Sequence, residues 1–234
     1  MLVLSRMPSG EPEIFASIQG EGASAGTPST FVRLAICNLR CSWCDTPYTW
    51  DWTRYDRAEQ TMECGSEDVV ARLKQFSPRN VVVTGGEPLV QRRELLPLVR
   101  SLKERGYRIE IETNGTIRPG ELTALVDQWN VSPKLANSGN EGLVRIRPAV
   151  LQEFGATPGA FFKFVVQEPR DLDEVEAIIR DAGVPADRVL LMPEGRTAAE
   201  LQRRSAAIAE LCAERGYRFS PRLHILLWGD RRGV

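Results

Sequence analysis

The sequence predicts an α/β protein built on an open, mostly parallel sheet. Short apolar runs alternate with amphipathic segments along most of its 234 residues, and this order is typical of parallel strands joined by helical crossovers. About six such strands can be counted, which is fewer than the eight of a closed (β/α)8 barrel. A chain of this length fits one α/β domain. We therefore expect a single domain over residues 1–234 with the architecture of an open partial (β/α) barrel.

The individual elements follow from apolar spacing and from the residues that start and stop helices. Short apolar runs, or the alternation seen over residues 107–113, indicate strands. The predicted strands cover residues 31–36, 80–84, 107–113, 130–133, 161–166 and 188–192. Helical spacing predicts helices over about 66–76, 95–102, 120–128, 171–182 and 197–211. A last strand is expected over residues 218–228, whereas residues 135–158 give no clear prediction.

The charge balance and the apolar pattern exclude several classes of protein. Thirty basic residues stand against thirty-one acidic residues, giving a net charge of −1, so a nucleic-acid partner is not expected. No apolar run is long enough to span a membrane, and residues 1–13 lack the apolar core of a signal peptide. We therefore expect a cytoplasmic protein without a membrane partner.

Lysine is rare in this sequence. The basic residues include only four lysines, Lys74, Lys103, Lys134 and Lys163. Lysine provides a mobile point charge where arginine provides a rigid fork. Each of the four is therefore a candidate for a specific role.

Distinctive loops follow the successive predicted strands. They cover residues 37–44, 85–88, 113–115, 132–134 and 192–195. In parallel α/β folds the chemistry collects at the carboxyl ends of the strands. The sequence therefore predicts one site at this edge of the sheet.

The first of these loops carries three cysteines, Cys37, Cys41 and Cys44, in the spacing C-x3-C-x2-C. Soft thiolates select iron–sulfur clusters, zinc or copper(I). A closed zinc site would need a fourth ligand, for which Cys64 and the single histidine, His224, are the candidates. A 4Fe-4S cluster held by three cysteines instead leaves one iron without a protein ligand. An open coordination position favours chemistry over a purely structural site.

Together with Gly85-Gly86-Glu87-Pro88 after the second strand, this loop resembles the radical S-adenosylmethionine (SAM) superfamily. The resemblance implies a 4Fe-4S cluster whose open iron binds SAM. It also implies that reduction of the cluster splits SAM and generates a 5′-deoxyadenosyl radical.

The flanking segments resemble one family in that superfamily, the 7-carboxy-7-deazaguanine synthases. The resemblance covers residues 13–22, 26–34, 37–50, 84–88, 112–115, 132–134 and 223–224. It implies a carbon–nitrogen lyase of queuosine and 7-deazapurine biosynthesis. The implied substrate is 6-carboxy-5,6,7,8-tetrahydropterin, whose ring contracts with loss of ammonia while SAM is regenerated. An external one-electron donor such as flavodoxin is also implied.

The same resemblance assigns roles to individual residues. Cys37, Cys41 and Cys44 would hold the cluster, and Thr46 would contact Mg²⁺. The substrate would be bound by Ile18, Gln19, Gly20, Glu21, Arg33, Thr84 and His224. SAM would be bound by Trp43, Gly85, Gly86, Glu87, Ser132, Pro133, Lys134 and Gln167. No side chain is assigned as catalytic, because the cluster and SAM would carry the chemistry. Since residues 225–234 continue past His224, no contact with the site is carried over from the resemblance to the last residue.

Two alternatives remain open at the level of the sequence. Another small radical SAM enzyme, such as a glycyl-radical activating enzyme, would share the cysteine spacing but act on a protein. A non-enzymatic iron–sulfur or zinc protein would share only the cysteines. The segment 19–22 and the charge of Arg33 within an apolar strand favour a small polar heterocycle with a carboxylate. A homodimer is expected because an open barrel leaves sheet edges to cover.

Overall fold

The computed structural model describes residues 1–234, and at its centre lies one ten-stranded sheet. The strands are β1 (Leu2–Ser5), β2 (Ile14–Ile18), β3 (Pro28–Leu34), β4 (Thr61–Cys64), β5 (Asn80–Gly85), β6 (Arg108–Thr113), β7 (Gln128–Val131), β8 (Ala160–Val166), β9 (Val189–Pro193) and β10 (Arg218–Phe219). Their order is β10-β9-β8-β7-β6-β5-β3-β1-β4, with β2 paired to β3. All pairs from β3 to β10 are parallel, and the outer strands β10 and β4 do not pair with each other. The predicted open, mostly parallel architecture is therefore confirmed.

Helices connect the parallel strands. They are α1 (Arg57–Gln60), α2 (Ser66–Leu73), α3 (Arg92–Glu104), α4 (Gly142–Arg145), α5 (Pro148–Ala156), α6 (Asp171–Ala182), α7 (Ala198–Arg215) and α8 (Leu223–Trp228). Short 3₁₀ helices cover Pro47–Thr49, Pro88–Gln91, Gly120–Ala124, Ala136–Ser138 and Ala186–Arg188. None of the helices is both long and apolar enough to cross a membrane.

Three short strands near the N-terminus were not predicted. β1 pairs antiparallel with β3 and β4, and β2 pairs antiparallel with β3. β1 and β4 have only four residues and β2 has five, so the alternation in each is too brief to be recognised in the sequence. The β2–β3 pairing matters for the site, because it fixes the segment after Ile18 beside the barrel.

Two predicted elements are wrong. The strand expected over 218–228 is limited to Arg218–Phe219, and residues 223–228 form α8 instead. A brief apolar run does not distinguish a strand from a helical turn by its spacing. The helix expected over 120–128 is a 3₁₀ turn that ends at Ala124, and Gln128 already belongs to β7.

The two faces of the sheet have different chemistry, as β6 shows. Ile109 and Ile111 are fully buried in the apolar core between sheet and helices. Side chains alternate along a strand, so Glu110 and Glu112 point to the opposite face, which is the barrel interior. Glu110 is fully buried and accepts hydrogen bonds from Asn80 at 2.9 Å and Asn130 at 3.2 Å. A satisfied polar network therefore fills the part of the interior nearer the amino ends of the strands.

Replacing Phe154 by alanine is expected to lower the free energy of unfolding by about 3–5 kcal/mol. Phe154 on α5 is fully buried, and its ring packs edge-on against Trp129 with centroids 5.2 Å apart. Chemical denaturation followed by circular dichroism measures the change. Leu143→Ala is the control, because Leu143 is 87% exposed and its loss should cost less than about 0.5 kcal/mol. A loss below about 1 kcal/mol for Phe154→Ala would contradict this assignment of the core.

Candidate active site

A cavity of about 220 Å³ opens at the carboxyl ends of the parallel strands. It brings together most of the residues that the sequence singled out. The predicted residues that line it are Ile18, Gln19, Gly20, Glu21, Arg33, Cys37, Cys41, Trp43, Cys44, Thr46, Thr84, Gly85, Gly86, Ser132, Lys134 and His224. Loops that follow different strands thus converge on one site, as the topology predicts.

Three predicted SAM contacts, Glu87, Pro133 and Gln167, lie outside the lining of this cavity. Glu87 is fully buried, and its carboxylate accepts hydrogen bonds from the amide of Leu89 at 2.9 Å and the amide of Asn114 at 2.6 Å. Its place in the structure is to fasten the end of β5 to the end of β6. Pro133 is buried, and Gln167 donates its backbone amide to Asp171 at 2.8 Å.

Each cysteine sulfur of the loop accepts a hydrogen bond from a nearby donor. Cys37 accepts from the amide of Leu39 at 3.4 Å and Cys41 from the side chain of Asn140 at 3.3 Å. Cys44 accepts from the indole of Trp50, also at 3.3 Å. Hydrogen bonds to sulfur suit thiolates that ligate an iron–sulfur cluster. The three cysteines therefore fit such a cluster.

Burial keeps two of these three thiols protonated until a metal binds. Burial raises the pKa of Cys37 to about 12, and it also raises the pKa of Cys41. Free thiols at these positions stay protonated at neutral pH, so metal binding must displace the protons. Cys64 lies away from the loop in β4, where it pairs with Leu2. It does not line the cavity, which removes it as a fourth ligand of a zinc site.

The glycines at the end of β5 are required by backbone packing. A Cβ atom on Gly85 would lie 1.9 Å from the carbonyl oxygen of Leu34, and one on Gly86 would lie 2.2 Å from that of Ile36. Ile36 itself has a φ of 72°, which is an outlier for a β-branched residue. Two backbone hydrogen bonds hold it there: the amide of Ile36 donates to the carbonyl of Thr49 at 2.7 Å, and the carbonyl of Ile36 accepts from the amide of Glu87. The glycines thus let β5 pack against the segment that starts the cysteine loop.

Gly86→Ala is expected to displace residues 36–37 and to lower the iron content of the reconstituted protein at least about fivefold. A methyl group there cannot avoid the Ile36 carbonyl without a backbone shift. Iron and sulfide analysis of anaerobically reconstituted protein gives the result. Gly142→Ala is the matched control, because a Cβ at Gly142 meets nothing within 4 Å. Equal iron in both variants would show that this contact does not support the cluster loop.

Trp43, Ser132 and Lys134 lie together on one side of the cavity. Lys134 donates to the hydroxyl of Ser132 at 2.9 Å, and its ammonium lies 5.6 Å from the centroid of the Trp43 ring. The indole of Trp43 donates to the carbonyl of Asn137 at 3.1 Å. An aromatic face beside polar donors suits a ligand with both a ring and charged groups, as SAM has.

Arg33 provides a positive charge on another wall. Its Nε donates to Glu13 at 2.7 Å, and only 18% of its side chain is exposed. Glu13 is fully buried and also accepts from Tyr48 at 3.1 Å and Arg232 at 2.9 Å. Burial alone would lower the pKa of Arg33, but Tyr48 and Glu13 raise it above the usual value. Arg33 is therefore a fixed cation whose remaining N–H groups are free to bind an anion.

Glu21 is the centre of a buried cluster of charges. Lys163 donates to one carboxylate oxygen, and the Nε of Arg222 donates to the other at 2.9 Å. His224 lies 3.8 Å from the same carboxylate, and Arg222 also donates to Asp45. Burial would raise the pKa of Glu21, but the charges of Lys163 and Arg222 outweigh it and hold the pKa well below the usual range. Glu21 is therefore an acceptor-only carboxylate at neutral pH.

Gln19, Gly20 and Thr84 complete this wall. Gln19 donates its side-chain amide to Glu112 at 3.2 Å, and Thr84 donates to the other oxygen of Glu112 at 2.6 Å. The carbonyl of Gly20 accepts from the amide of Leu223 at 2.9 Å, and a Cβ on Gly20 would meet the His224 ring at 2.2 Å. Burial lowers the pKa of His224, so this ring is neutral at pH 7.

Several residues in the cavity were not assigned to the site from the sequence. They include Glu112, Asn130, Lys163, Arg222 and Val234. Lys163 could have been found in the same way as Arg33, because both are ionisable side chains within an apolar strand. No feature of the local sequence indicates Arg222. Val234 also lines the cavity, although no contact had been assigned to the last residue from the resemblance. The tail returns there because Arg232 binds Glu13 and stacks on Tyr48, 3.7 Å from its ring centroid.

An open parallel sheet whose first parallel strand leads into a three-cysteine loop, with glycines ending the next strand, defines a radical SAM enzyme. In agreement, the family model for the radical SAM superfamily matches residues 32–194. The chain is 42% identical to the 7-carboxy-7-deazaguanine synthase of Pyrobaculum aerophilum, over 94% of this chain and 95% of that one. It is 39% identical to the synthase of Halobacterium salinarum, over 93% and 90% of the two chains. The crystal structure of QueE from Escherichia coli is similar as well, with 26% identity, a TM-score of 0.68 and 93% of each chain covered. The chain belongs to the 7-carboxy-7-deazaguanine synthase family.

Proposed function

We propose that this enzyme converts 6-carboxy-5,6,7,8-tetrahydropterin to 7-carboxy-7-deazaguanine and ammonia, as a step in the biosynthesis of queuosine and other 7-deazapurines. The observation that carries the proposal is the pairing of two fixed charges in one cavity. Arg33 is a cation, Glu21 is an anion, and both line the cavity that the three cysteines also line. The substrate has the complementary groups, a carboxylate and the N–H and NH₂ donors of its pyrimidine edge.

The carboxylate of the substrate binds to Arg33. Since the Nε of Arg33 is taken by Glu13, its terminal nitrogens remain for the substrate. A guanidinium matches the geometry of a carboxylate with two parallel hydrogen bonds. Glu13 keeps the guanidinium plane from rotating, so the substrate meets a donor pair that is already oriented.

The opposite edge of the substrate binds to Glu21 and its neighbours. The ionised carboxylate accepts from the ring N–H and the 2-amino group, and a carboxylate with its two oxygens is the apt partner for two adjacent donors. Gln19 and the backbone of Ile18 and Gly20 contact the remaining ring heteroatoms. Thr84 and the neutral imidazole of His224 contact the substrate from the sides.

The cofactors bind beside this pocket. Cys37, Cys41 and Cys44 hold a 4Fe-4S cluster, and Trp43, Gly85, Gly86, Ser132 and Lys134 line the place of SAM. When bound, the cluster and SAM supply the radical that removes and returns one hydrogen atom. The side chains of the protein bind the substrate and the cofactors, orient them, and exclude water. Apolar walls, among them the stacked rings of Phe15 and Phe31 at 5.1 Å, support the last of these tasks.

Thr46 is proposed as the protein ligand of Mg²⁺. Its hydroxyl lines the cavity, 3.8 Å from the sulfur of Cys44. Mg²⁺ prefers oxygen and commonly takes only one or two protein ligands. Glu21, Asp45 and His224 also group within 4.8 Å. The guanidinium of Arg222 binds the carboxylates of both Glu21 and Asp45. These carboxylates therefore already have a cation as their partner and are not proposed as a metal site.

We further propose a single-domain, cytoplasmic homodimer that an external donor such as flavodoxin reduces. The sheet ends at β4 and β10, and sheet edges of this kind support dimerisation. Five free cysteines suit a reducing compartment. A net charge of −1 gives no support for a nucleic-acid partner.

The test is an anaerobic reaction of reconstituted protein with reductant, SAM, Mg²⁺ and the pterin, followed by mass spectrometry. Formation of 7-carboxy-7-deazaguanine is the expected result. Cleavage of SAM without that product would replace the proposal by another radical SAM activity, such as activation of a glycyl-radical protein. Bound zinc without iron, and no cleavage of SAM, would favour a non-enzymatic metal protein.

A further inference from the structure

Lys163 is the one lysine in the lining of the cavity that is assigned to neither the substrate nor SAM. Lys74 and Lys103 lie on the surface, and Lys134 lies on the SAM side of the cavity. Lys163, in contrast, lies on β8 with only 7% of its side chain exposed. A buried ammonium is costly unless it is paired, so its single ion pair needs an explanation.

The only hydrogen-bond partner of Lys163 is Glu21. Arg222 also binds Glu21, but it shares its guanidinium with Asp45 and with the carbonyl of Gly195 at 2.6 Å. The charge of Arg222 is therefore largely balanced by Asp45. Lys163 gives its only hydrogen bond to Glu21, and Glu112 is the other carboxylate whose charge acts on it.

We propose that Lys163 is a positioning residue that fixes Glu21 as an oriented anion and thereby sets the affinity for the amino-pyrimidine edge of the substrate. This inference rests on the proposed function and adds to it a residue that acts through Glu21. The geometry supports it, because Lys163 and Arg222 hold one oxygen each and so fix the plane of the carboxylate. Both oxygens then face the substrate with lone pairs to spare.

Removal of Lys163 changes what the substrate meets. A buried carboxylate that has lost its main cation gains a proton or turns toward Arg222. The O–H of a protonated Glu21 would face an N–H donor of the substrate, so one of the two hydrogen bonds is lost. The remaining hydrogen bond is weaker because its acceptor is no longer charged. The hydrogen that the radical removes lies elsewhere on the ring. The effect is therefore expected in binding, not in the chemical step.

The experiment is steady-state kinetics of reconstituted wild type, Lys163→Met, Glu21→Gln and the double variant. Lys163→Met is expected to raise KM for the pterin about 10- to 100-fold, with kcat changed less than about threefold. In the Glu21→Gln background the same change should alter KM less than about twofold, because Lys163 then has no charge to hold. Lys103→Met is the matched control. Lys103 is also paired with a carboxylate, Asp127 at 2.7 Å, but lies on the surface.

Three outcomes would overturn the inference. They are an unchanged KM in Lys163→Met, a loss confined to kcat, and an equal loss in both backgrounds. If Lys163→Met does not fold, as judged by circular dichroism, Lys163→Gln keeps a polar end without the charge and must show the same pattern. Failure of the proposed function is distinguishable, because wild-type protein would then form no product from the pterin.

Discussion

Arg33→Met is expected to lower kcat/KM for the pterin at least about 100-fold while SAM still binds. The change removes the cation that pairs with the substrate carboxylate. Loss of one partner from a desolvated charge pair costs about 2–5 kcal/mol, and each 1.4 kcal/mol is a factor of ten. Product formation by mass spectrometry and SAM binding by equilibrium dialysis give the two readouts.

Arg232→Met is the matched control for this variant. Arg232 also binds Glu13 and is 19% exposed, against 18% for Arg33, but it does not line the cavity. It should lower kcat/KM less than about tenfold, because Glu13 retains Arg33 and Tyr48 as partners and only the tail that carries Val234 is released. Arg33→Lys keeps the charge without the fork and should fall between wild type and Arg33→Met. Near wild-type turnover by Arg33→Met would disprove the assignment of the substrate carboxylate to this residue.

Cys41→Ser is expected to abolish both product formation and cleavage of SAM. A three-cysteine site that loses one thiolate has no further ligand to replace it, since Cys64 lies in β4 and Cys212 in α7. Wild type should bind about four iron atoms per chain after reconstitution, and the variant should retain few of them. Iron analysis and the electron paramagnetic resonance signal of the reduced cluster measure the difference.

Cys64→Ser and Cys212→Ser control for the loss of a thiol as such. Both side chains are buried at 8% and 4% exposure and lie outside the cavity. They should keep full iron content and activity, with at most a modest loss of stability. Loss of the cluster in Cys64→Ser, with Cys41→Ser unaffected, would point instead to a metal site that includes Cys64.

The sequence predicts the architecture well where the signals are long. The buried parallel strands and the helices α6 and α7 have sustained apolar spacing and capping residues, such as Thr197 with Glu200. β1, β2 and β4 were missed because four or five residues carry too little pattern. The segment 223–228 was assigned to a strand, because a brief apolar run fits either element until its packing is known.

The candidate site likewise contains residues that the sequence predicts and residues that it does not. Motif residues on loops could be named, because the topology predicts where those loops converge. The ion pairs that organise the site could not be predicted from the sequence. Glu21, Lys163 and Arg222 lie far apart in the chain, and only the folded structure brings them together. Glu87 shows the reverse case, in which a motif residue serves the packing of two strand ends and does not line the cavity.

The central claim is that this cavity performs a ring contraction without net oxidation. Substrate and product differ by one ammonia, so a hydrogen atom that is removed can be returned and SAM need not be consumed. The most direct test is the ratio of 7-carboxy-7-deazaguanine formed to SAM consumed, measured anaerobically with excess pterin. Many molecules of product are expected for each SAM consumed. A ratio of one or less, or accumulation of 5′-deoxyadenosine without product, would contradict it.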